Sequence, residues 1–221
     1  MNTLAIDCSS SIMSVSLESG DRLFETSIRD GFKNSEYLMP IIESLFKTAD
    51  ISNGDLDLIA VASGPGSFTG LRIAMSTAKG IAYGSGADLI SVSTLDAYSL
   101  GYDFFDGVVV PVIDARKKRF YCSIFEYGIR KEKDMDISSE NLFNYLDGSK
   151  KILITGPDCL LFSSFAQNEN RIFIDKSFTS TASTAVLRLG KEKHSKTGPD
   201  PHGTGPVYVR KSEAEISLFG E

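Results

Sequence analysis

The 221-residue chain is long enough for one large domain or two small lobes, and its 42% hydrophobic content suffices for an ordinary core. A formal net charge of −6 argues against strong RNA binding by this chain alone, because neutralisation of phosphate charge dominates such binding. Cys8, Cys122 and Cys159 lie far apart in or beside apolar segments, which predicts reduced, structural thiols in a cytoplasmic protein. The sequence shows neither an apolar run long enough to span a bilayer nor a secretion signal, so we expect no membrane association.

Three strands joined by hairpins are predicted at the start of the chain. Residues 3–7 form a short apolar run that ends at Asp7, and residues 12–18 alternate apolar and polar side chains. Residues 23–28 follow a Gly-Asp turn and form the third strand. Three strands before any helix indicate a mixed sheet.

An amphipathic helix is predicted after these strands. Its N-cap is assigned to Asn34 or Ser35, and its apolar face includes Ile41. Tyr37 and Met39 lie off that face. They are either ordinary, partly exposed side chains or contacts for a partner helix.

The most informative stretch is a glycine-rich run between a buried strand, residues 56–62, and a helix over residues 68–83. Gly64 and Gly66 flank Pro65, which predicts a sharp turn because glycine tolerates positive φ on either side of a fixed one. The spacing G-x-G-x-x-x-G, with no Lys-Ser or Lys-Thr after it, matches neither the dinucleotide fingerprint nor a Walker A loop. A tight structural turn is the simplest interpretation.

The helix after this turn, which Ser67 or Thr69 is predicted to cap, carries a stripe of small residues. The stripe and its neighbours are Gly70, Ala74, Ala78 and Ala82, beside Ile73, Thr77 and Ile81. Small side chains let another helix approach closely, either within the same domain or from another protein. If the face is a protein interface, Ala78→Arg is expected to abolish assembly and leave the fold intact.

The second half of the chain repeats the plan of the first. Asp114 ends a predicted strand 107 positions after Asp7, and Ser123 lies at the same offset from Ser16. Arg116 begins a basic turn where the first half has serines. We therefore predict two copies of a βββαβα unit, which form two lobes, each a mixed sheet flanked by helices.

The run Gly-Pro-Gly-Ser-Phe-Thr-Gly-Leu-Arg at residues 64–72 resembles the signature of the TsaB family, also called YeaZ. Residues 34–40 are similar to the family's first helix, and Pro-Val-Tyr-Val-Arg at residues 206–210 is similar to its C-terminal motif. Val209 stands where that motif usually has leucine. The resemblance covers nearly the whole chain.

This resemblance implies a two-lobed α/β fold of the actin/Hsp70-like (RNase H-like) type. The N-terminal lobe, residues 1–105, would carry the partner interface, and residues 106–221 would form the C-terminal lobe. In this fold the first hairpins of the two lobes face each other across a cleft where ATP-using members bind phosphates. The corresponding residues here are Asp7, Ser9, Ser10, Ser11, Asp114 and Arg116. Because the first turn has serines and no glycine, the resemblance implies a degenerate nucleotide site; alternatively, the aspartates only cap turns at strand ends.

TsaB-family proteins are partner subunits in bacterial synthesis of threonylcarbamoyladenosine on tRNA. The resemblance implies a non-catalytic scaffold for a TsaD-like catalytic subunit, which modifies the adenosine beside the anticodon of tRNAs that read codons starting with A. It also implies a TsaE-like ATPase as a partner, a homodimer when the chain is alone, and tRNA contact only through the complex. This chain would need no cofactor, although ATP or ADP could bind at the complex with TsaD. The implied interface comprises Tyr37, Met39, Ile41, Gly70, Leu71, Ala74, Thr77, Ala78 and Ile81.

Residues that could perform catalysis are sparse in this sequence. His194 and His202 both fall in residues 191–205, a locally basic stretch predicted to be a mobile loop, either simply solvated or RNA-facing. No metal-ligand spacing or G-x-S-x-G elbow is present, so we predict no metal and no catalytic residue. The alternative function is an ATP-dependent small-molecule kinase or phosphotransferase of the same fold, which should keep glycine in the first phosphate turn.

Overall fold

The first half of the chain forms a five-stranded mixed sheet. The computed structural model describes residues 1–30, 33–146, 148, 150–165, 170–176 and 182–210. Its first strands are β1 (Thr3–Asp7), β2 (Met13–Ser19) and β3 (Arg22–Ile28), which pair antiparallel, followed by β4 (Leu58–Gly64) and β5 (Asp88–Ser93), which pair parallel. The strand order is β3-β2-β1-β4-β5, so the central strand β1 is buried on both faces.

Two long helices cover one face of this sheet. They are α1 (Asn34–Ala49) and α2 (Phe68–Ser85); a short 3-10 turn (Asn53–Asp55) and the helix α3 (Thr94–Ser99) complete the first half. Leu4 and Ile6 of β1 pack into the same core as Leu38 and Ile42 of α1. Ser67 caps α2 by accepting a hydrogen bond from the amide of Gly70 at 3.3 Å. The cap predicted for α1 is wrong, because Asn34 and Ser35 already lie inside the helix and Lys33 precedes it without a side-chain cap.

The second half repeats this arrangement. Its elements are β6 (Val108–Asp114), β7 (Arg119–Cys122), β8 (Phe125–Glu126), β9 (Ile129–Arg130), β10 (Met135–Ser138), α4 (Ser139–Tyr145), β11 (Ile152–Thr155), α5 (Cys159–Ser163), β12 (Ile172–Ile174) and α6 (Ser183–Thr197). The main order β10-β7-β6-β11-β12 is that of the first sheet, and the short β8 pairs with β6 and β9. The predicted duplication of a strand-rich α/β unit is confirmed.

The two first hairpins differ in length by one residue. Asp7 pairs with Ser14, whereas Asp114 pairs with Phe120, one position sooner. The predicted equivalence of Ser16 and Ser123 is therefore wrong by one position. Ser16 pairs with Ala5 of β1, and the residue that pairs with Val112, at the same place in β6, is Cys122. A shift of one residue in a strand moves a side chain to the opposite face.

The last helix corrects the prediction of a mobile loop over residues 191–205. Helix α6 continues to Thr197, so residues 191–197 are helical, and the helix packs on the face of the first sheet opposite α1 and α2. Val186 and Leu187 are buried there beside Ala60. The predicted start of this helix, Thr181, lies outside the described residues. Although its sequence belongs to residues 106–221, α6 completes the core of the first lobe.

An apolar core and a charged network join the two lobes. Ile113 of β6 shares the core that α6 forms with the first sheet. Arg130 donates hydrogen bonds to Asp96 and Ser93 of the first lobe at 2.9 Å each, and it contacts Asp134 of the second lobe. These contacts fix the walls of the interlobe cleft.

Candidate partner interface and interlobe cleft

A cleft of about 770 Å³ lies between the lobes. One wall is the glycine-rich turn with the start of α2, and the other is the end of β6 with the turn after it. Five of the six residues predicted for the cleft line it, namely Ser9, Ser10, Ser11, Asp114 and Arg116. The C-terminal segment of residues 207–210 runs along its edge.

Asp7 is the sixth predicted cleft residue, and it is buried, with only 1% of its surface exposed. Its Oδ1 accepts a hydrogen bond from the amide of Ser9 at 2.9 Å, and its Oδ2 accepts one from the hydroxyl of Tyr98 at 3.1 Å. Burial raises the pKa of Asp7, and the hydrogen bonds from Ser9 and Tyr98 offset only part of that rise. The prediction that Asp7 lines the cleft is therefore wrong, since Tyr98 and the serine turn enclose the carboxylate.

The glycine-rich turn lies directly on the serine turn. The amide of Ser67 donates to the carbonyl of Ser9 at 2.7 Å. A Cβ at Gly66 would lie 2.3 Å from that carbonyl oxygen, and a Cβ at Gly70 would lie 1.9 Å from the carbonyl oxygen of Cys8. These glycines let two backbones touch, so they leave no room for a phosphate between them.

The second wall of the cleft is more open and basic. The amide of Asp114 donates to Oδ2 of Asp158 at 2.8 Å, and the amide of Arg116 donates to Oδ1 of Asp114 at 2.8 Å. Burial raises the pKa of Asp158. Arg116, Lys117 and Lys118 all have positive φ, between 55° and 66°, and are exposed. The second lobe thus exposes three cationic side chains in the turn where the first lobe has serines, of which Ser9 and Ser10 are buried.

The predicted partner face of α2 is mostly buried inside the protein. Gly70, Leu71, Ala74 and Ala78 are inaccessible to solvent, and Ile81 is nearly so. The stripe of small residues brings α2 close to its own sheet, so the alternative of tight packing within the domain applies to these positions. Ala78→Arg is consequently expected to destabilise the fold, contrary to the expectation from the sequence.

The other predicted interface residues reach the surface to different extents. Met39 is 42% exposed, whereas Tyr37, Ile41 and Thr77 are partly buried. Met39 and Thr77 line an apolar groove of about 500 Å³ between α1 and α2. The complete lining is Met39, Ile42, Glu43, Phe46, Asn53, Thr77, Gly80 and Ile81. Among the predicted interface residues, those that solvent can reach lie at this groove and not in the small-residue stripe. We call it the α1–α2 groove.

Four of the five basic residues of α6 contact nearby acidic side chains. Lys191 contacts Glu18, and Lys193 donates to Asp200 at 3.1 Å. His194 lies 2.8 Å from Asp88, and Lys196 lies 2.6 Å from Glu192 on the same helix. These pairings disfavour an RNA-facing patch at the end of α6, because Lys191, Lys193, His194 and Lys196 each have an acidic neighbour.

The described residues lack features of two other classes of protein, membrane-spanning proteins and metalloproteins with a clustered site. None of their helices combines the length and apolar character that crossing a membrane requires. They contain no group of three or more His, Cys, Asp or Glu side chains arranged to share a metal ion.

Comparison with known proteins identifies the family. The family model described as "TsaD: tRNA N6-adenosine threonylcarbamoyltransferase" matches residues 33–195. TsaB of Bacillus subtilis (strain 168), a tRNA threonylcarbamoyladenosine biosynthesis protein, is 31% identical over 97% of this chain and 96% of its own length. The chain belongs to the TsaB family. TsaB of Escherichia coli (strain K12) is 32% identical over 57% of this chain and 55% of its own length.

Solved structures share the TsaB-family fold. YeaZ from Pseudomonas aeruginosa superposes with a TM-score of 0.77 over 94% of this chain and 99% of that one, at 22% sequence identity. The likeness, together with the two repeated sheets, confirms the actin-like, RNase H-like architecture that the resemblance implied. The family belongs to the biosynthesis of threonylcarbamoyladenosine on tRNA.

Several side chains at these sites were not predicted from the sequence. No sequence pattern marks Tyr98 as a site residue, because its role depends on a hydrogen bond to Asp7, 91 positions earlier in the chain. Phe68, Arg72 and Tyr208 meet at the edge of the cleft. A signal for these three existed, because they lie in the two runs that resemble TsaB-family motifs.

Proposed function

We propose that this TsaB-family chain is a non-catalytic scaffold that binds and supports a TsaD-like catalytic subunit. That subunit would transfer the threonylcarbamoyl group to the anticodon-adjacent adenosine of tRNAs that read codons starting with A. The α1–α2 groove is the observation that carries the proposal. It is apolar at its base, and Met39 is exposed at its edge.

The shape of the α1–α2 groove suits a helix from a partner protein. Gly80 has no side chain and Thr77 has a small one, so another helix can approach α2 closely there. Met39 and Phe46 on α1 supply apolar contact area, and methionine adapts to different partner surfaces. Recognition of an amphipathic helix in an apolar groove is a common mode of protein association.

The surroundings of Asp7 support the non-catalytic part of the proposal. An actin-like phosphotransferase would need a first-lobe turn open to phosphate and an accessible strand-end carboxylate. Here Ser9 is fully buried under the glycine-rich turn, and both oxygens of Asp7 accept hydrogen bonds inside the protein. The first-lobe turn therefore leaves no space for the phosphates of a nucleoside triphosphate beneath the glycine-rich turn, which disfavours the kinase alternative.

The remaining partners follow from the same proposal. This chain would require no cofactor of its own, and ATP or ADP would bind at the complex with TsaD. A TsaE-like ATPase would join that complex. Because Lys191, Lys193, His194 and Lys196 have acidic neighbours, tRNA would be contacted through the complex and not by the end of this helix. When the chain is alone, a second copy would occupy the α1–α2 groove as a homodimer.

The test is gel filtration with light scattering of the chain alone and mixed with the TsaD-like subunit of the same organism. Thr77→Arg places a charge in the groove without entering the core, because Thr77 is partly exposed. We expect it to abolish the heterodimer and the homodimer at micromolar concentration. The control is Thr48→Arg, the same chemical change at an exposed position of α1 outside the groove lining.

Two outcomes would contradict the proposal in different ways. If the unmodified chain forms no complex with the TsaD-like subunit, the partner assignment fails. If Thr77→Arg binds as tightly as Thr48→Arg, the partner assignment stands and the groove is the wrong surface.

A further inference from the structure

The two sequence runs that resemble family motifs meet in space, although they lie 136 positions apart. Phe68 and Arg72 belong to the run at residues 64–72, and Tyr208 belongs to the run at residues 206–210. The guanidinium carbon of Arg72 lies 3.9 Å from the centre of the Phe68 ring, and the Phe68 and Tyr208 ring centres are 4.8 Å apart. The Nε of Arg72 donates to the hydroxyl of Tyr208 at 3.0 Å. We call these three residues the Arg72 cluster.

The C-terminal segment holds Tyr208 in place from both sides. Before it, the amide of Val207 donates to the carbonyl of Ser63 in the first lobe at 2.7 Å. After it, Arg210 donates to Asp136 at 2.6 Å and to the carbonyl of Ala115 at 2.8 Å in the second lobe. The ring and hydroxyl that orient Arg72 are thus fixed by backbone and ionic contacts.

These contacts leave the outer end of Arg72 available. The side chain lies on the exposed face of α2, and no described residue accepts a hydrogen bond from its two terminal nitrogens. A guanidinium that is stacked on an aromatic ring and tied at Nε has already lost most of its rotamer freedom. Its two outer nitrogens then present a planar fork that matches a carboxylate in a bidentate pair.

We propose that the Arg72 fork binds a carboxylate side chain of the protein that occupies the α1–α2 groove. This inference rests on the proposed function. Arg72 lies five residues before Thr77 on α2, which is about 7.5 Å along the helix axis and about 140° around it, so a partner reaches both by covering the exposed arc of α2 that includes Ser76 and Gly80. Tyrosine and arginine are also the residues that most often dominate the energy of protein interfaces.

A protein carboxylate is favoured over an RNA phosphate for two reasons. The chain carries a net charge of −6, which repels a polyanion but does not prevent one short-range ion pair. The Arg72 cluster itself contributes one planar fork, and the exposed cations Arg116, Lys117 and Lys118 belong to the opposite wall of the cleft, whereas RNA backbone binding normally uses several phosphate contacts. Tyr208 acts as a positioning residue, because it would affect the partner only through Arg72.

The experiment measures the affinity of each variant for the TsaD-like subunit of the same organism by titration calorimetry. Arg72→Lys keeps the charge and loses the fork, and we expect at least about tenfold weaker binding. Tyr208→Phe keeps the ring and loses the oxygen that orients Nε, so a smaller loss of about threefold is expected. In the Arg72→Lys background, Tyr208→Phe should have no further effect, whereas a merely structural role would weaken binding again. Lys79→Gln, which removes a cation from the same helix two turns away, is the matched control and should bind normally.

Each outcome has a defined meaning. If the unmodified chain binds and Arg72→Lys binds equally well, this inference is overturned and the proposed function survives. If the unmodified chain does not bind, both are overturned. A parallel titration with an unmodified tRNA transcript covers the other source of an oxyanion: if Arg72→Lys weakens only tRNA binding, the assignment to a protein carboxylate is wrong.

Discussion

Asp7 and Asp114 end the first strands of their lobes, β1 and β6, yet the loops that cover them are built differently. In the first lobe the backbone at Gly66 rests on the serine turn, and Ser67 donates to Ser9. In the second lobe the side chain of Asp158 reaches the amide of Asp114 instead. A backbone contact covers Ser9 in the first turn, whereas a side-chain contact leaves the second turn exposed to the cleft.

The pKa of Asp7 in the first lobe and the pKa of the half-buried Asp136 in the second lobe shift in opposite directions. Asp7 has only neutral donors, so burial dominates and its pKa is raised. Burial also disfavours ionisation of Asp136, but hydrogen bonds and charge from Arg210 and Arg119 outweigh that effect and lower its pKa. The comparison shows that one repeated topology can raise the pKa of one carboxyl group and lower the pKa of another, depending on whether the hydrogen-bond donors are neutral or cationic.

The largest effect is expected where the first lobe depends on glycine. Gly70→Ala would bring a Cβ to 1.9 Å from the carbonyl oxygen of Cys8, and because both partners are backbone, neither can move easily. We expect a loss of about 3 kcal/mol or more in the free energy of unfolding, measured with denaturant. The control is Gly80→Ala in the same helix, where no atom lies within 4 Å, and it should gain about 0.5–1 kcal/mol. Equal effects of the two substitutions would contradict the close approach.

The ionised acid of the second lobe is tested by Asp136→Asn. This change removes charged acceptors from Arg119 and Arg210, and we expect a loss of about 2 kcal/mol at pH 7. The pKa of Asp136 is lowered in the folded protein from its ordinary value of 3.8. The stability that its charge contributes is therefore complete above pH 3.8 and is lost as the pH falls through the lower folded pKa. Denaturation curves should therefore converge for the two proteins at strongly acid pH. A difference that persists there would point to lost packing.

A smaller effect is expected from the side chain that closes the second turn. Asp158→Ala leaves the amide of Asp114 without its acceptor, which should destabilise the protein by about 1.5 kcal/mol. Asp158→Asn retains an oxygen at this position and should be nearly neutral. If the alanine and asparagine variants are equally stable in denaturant unfolding, the prediction is wrong, and water replaces Asp158 as the acceptor for the amide of Asp114.

The smallest expected change is a gain from Asp7→Asn, on the order of 1 kcal/mol at pH 7. The native state keeps the proton of Asp7 above the ordinary pKa of 3.8, so stability falls as the pH rises from 3.8 through the raised folded value. Asparagine does not ionise, so the variant does not lose stability as the pH rises. Its gain in the free energy of unfolding over the unmodified protein should vanish near pH 4. Stability curves between pH 4 and pH 8 check this. An asparagine variant that is less stable at every pH would show that the hydrogen bond from Tyr98 requires a carboxylate.

The local patterns predicted much of the fold for reasons that are visible in particular residues. The hairpins of the first half, the cap at Ser67 and the parallel strand before Gly64 depend on neighbouring residues only. The end of α6 was mispredicted because the polar sequence after Gly190 resembles a loop. Contacts of Lys191 with Glu18 and of Lys193 with Asp200 hold it as helix.

The family, the repeated α/β plan and the position of the glycine-rich turn could be predicted from the sequence, because each depends on short-range patterns. Which residues are accessible to solvent depends instead on contacts between distant parts of the chain. A small-residue stripe looks the same whether it meets its own sheet or another protein, and here Ala74 and Ala78 meet their own core. Likewise, a strand-end aspartate does not reveal whether a tyrosine 91 positions later will enclose it, as Tyr98 encloses Asp7. Burial is a property of distant contacts, and it places the candidate surface at the α1–α2 groove and the Arg72 cluster.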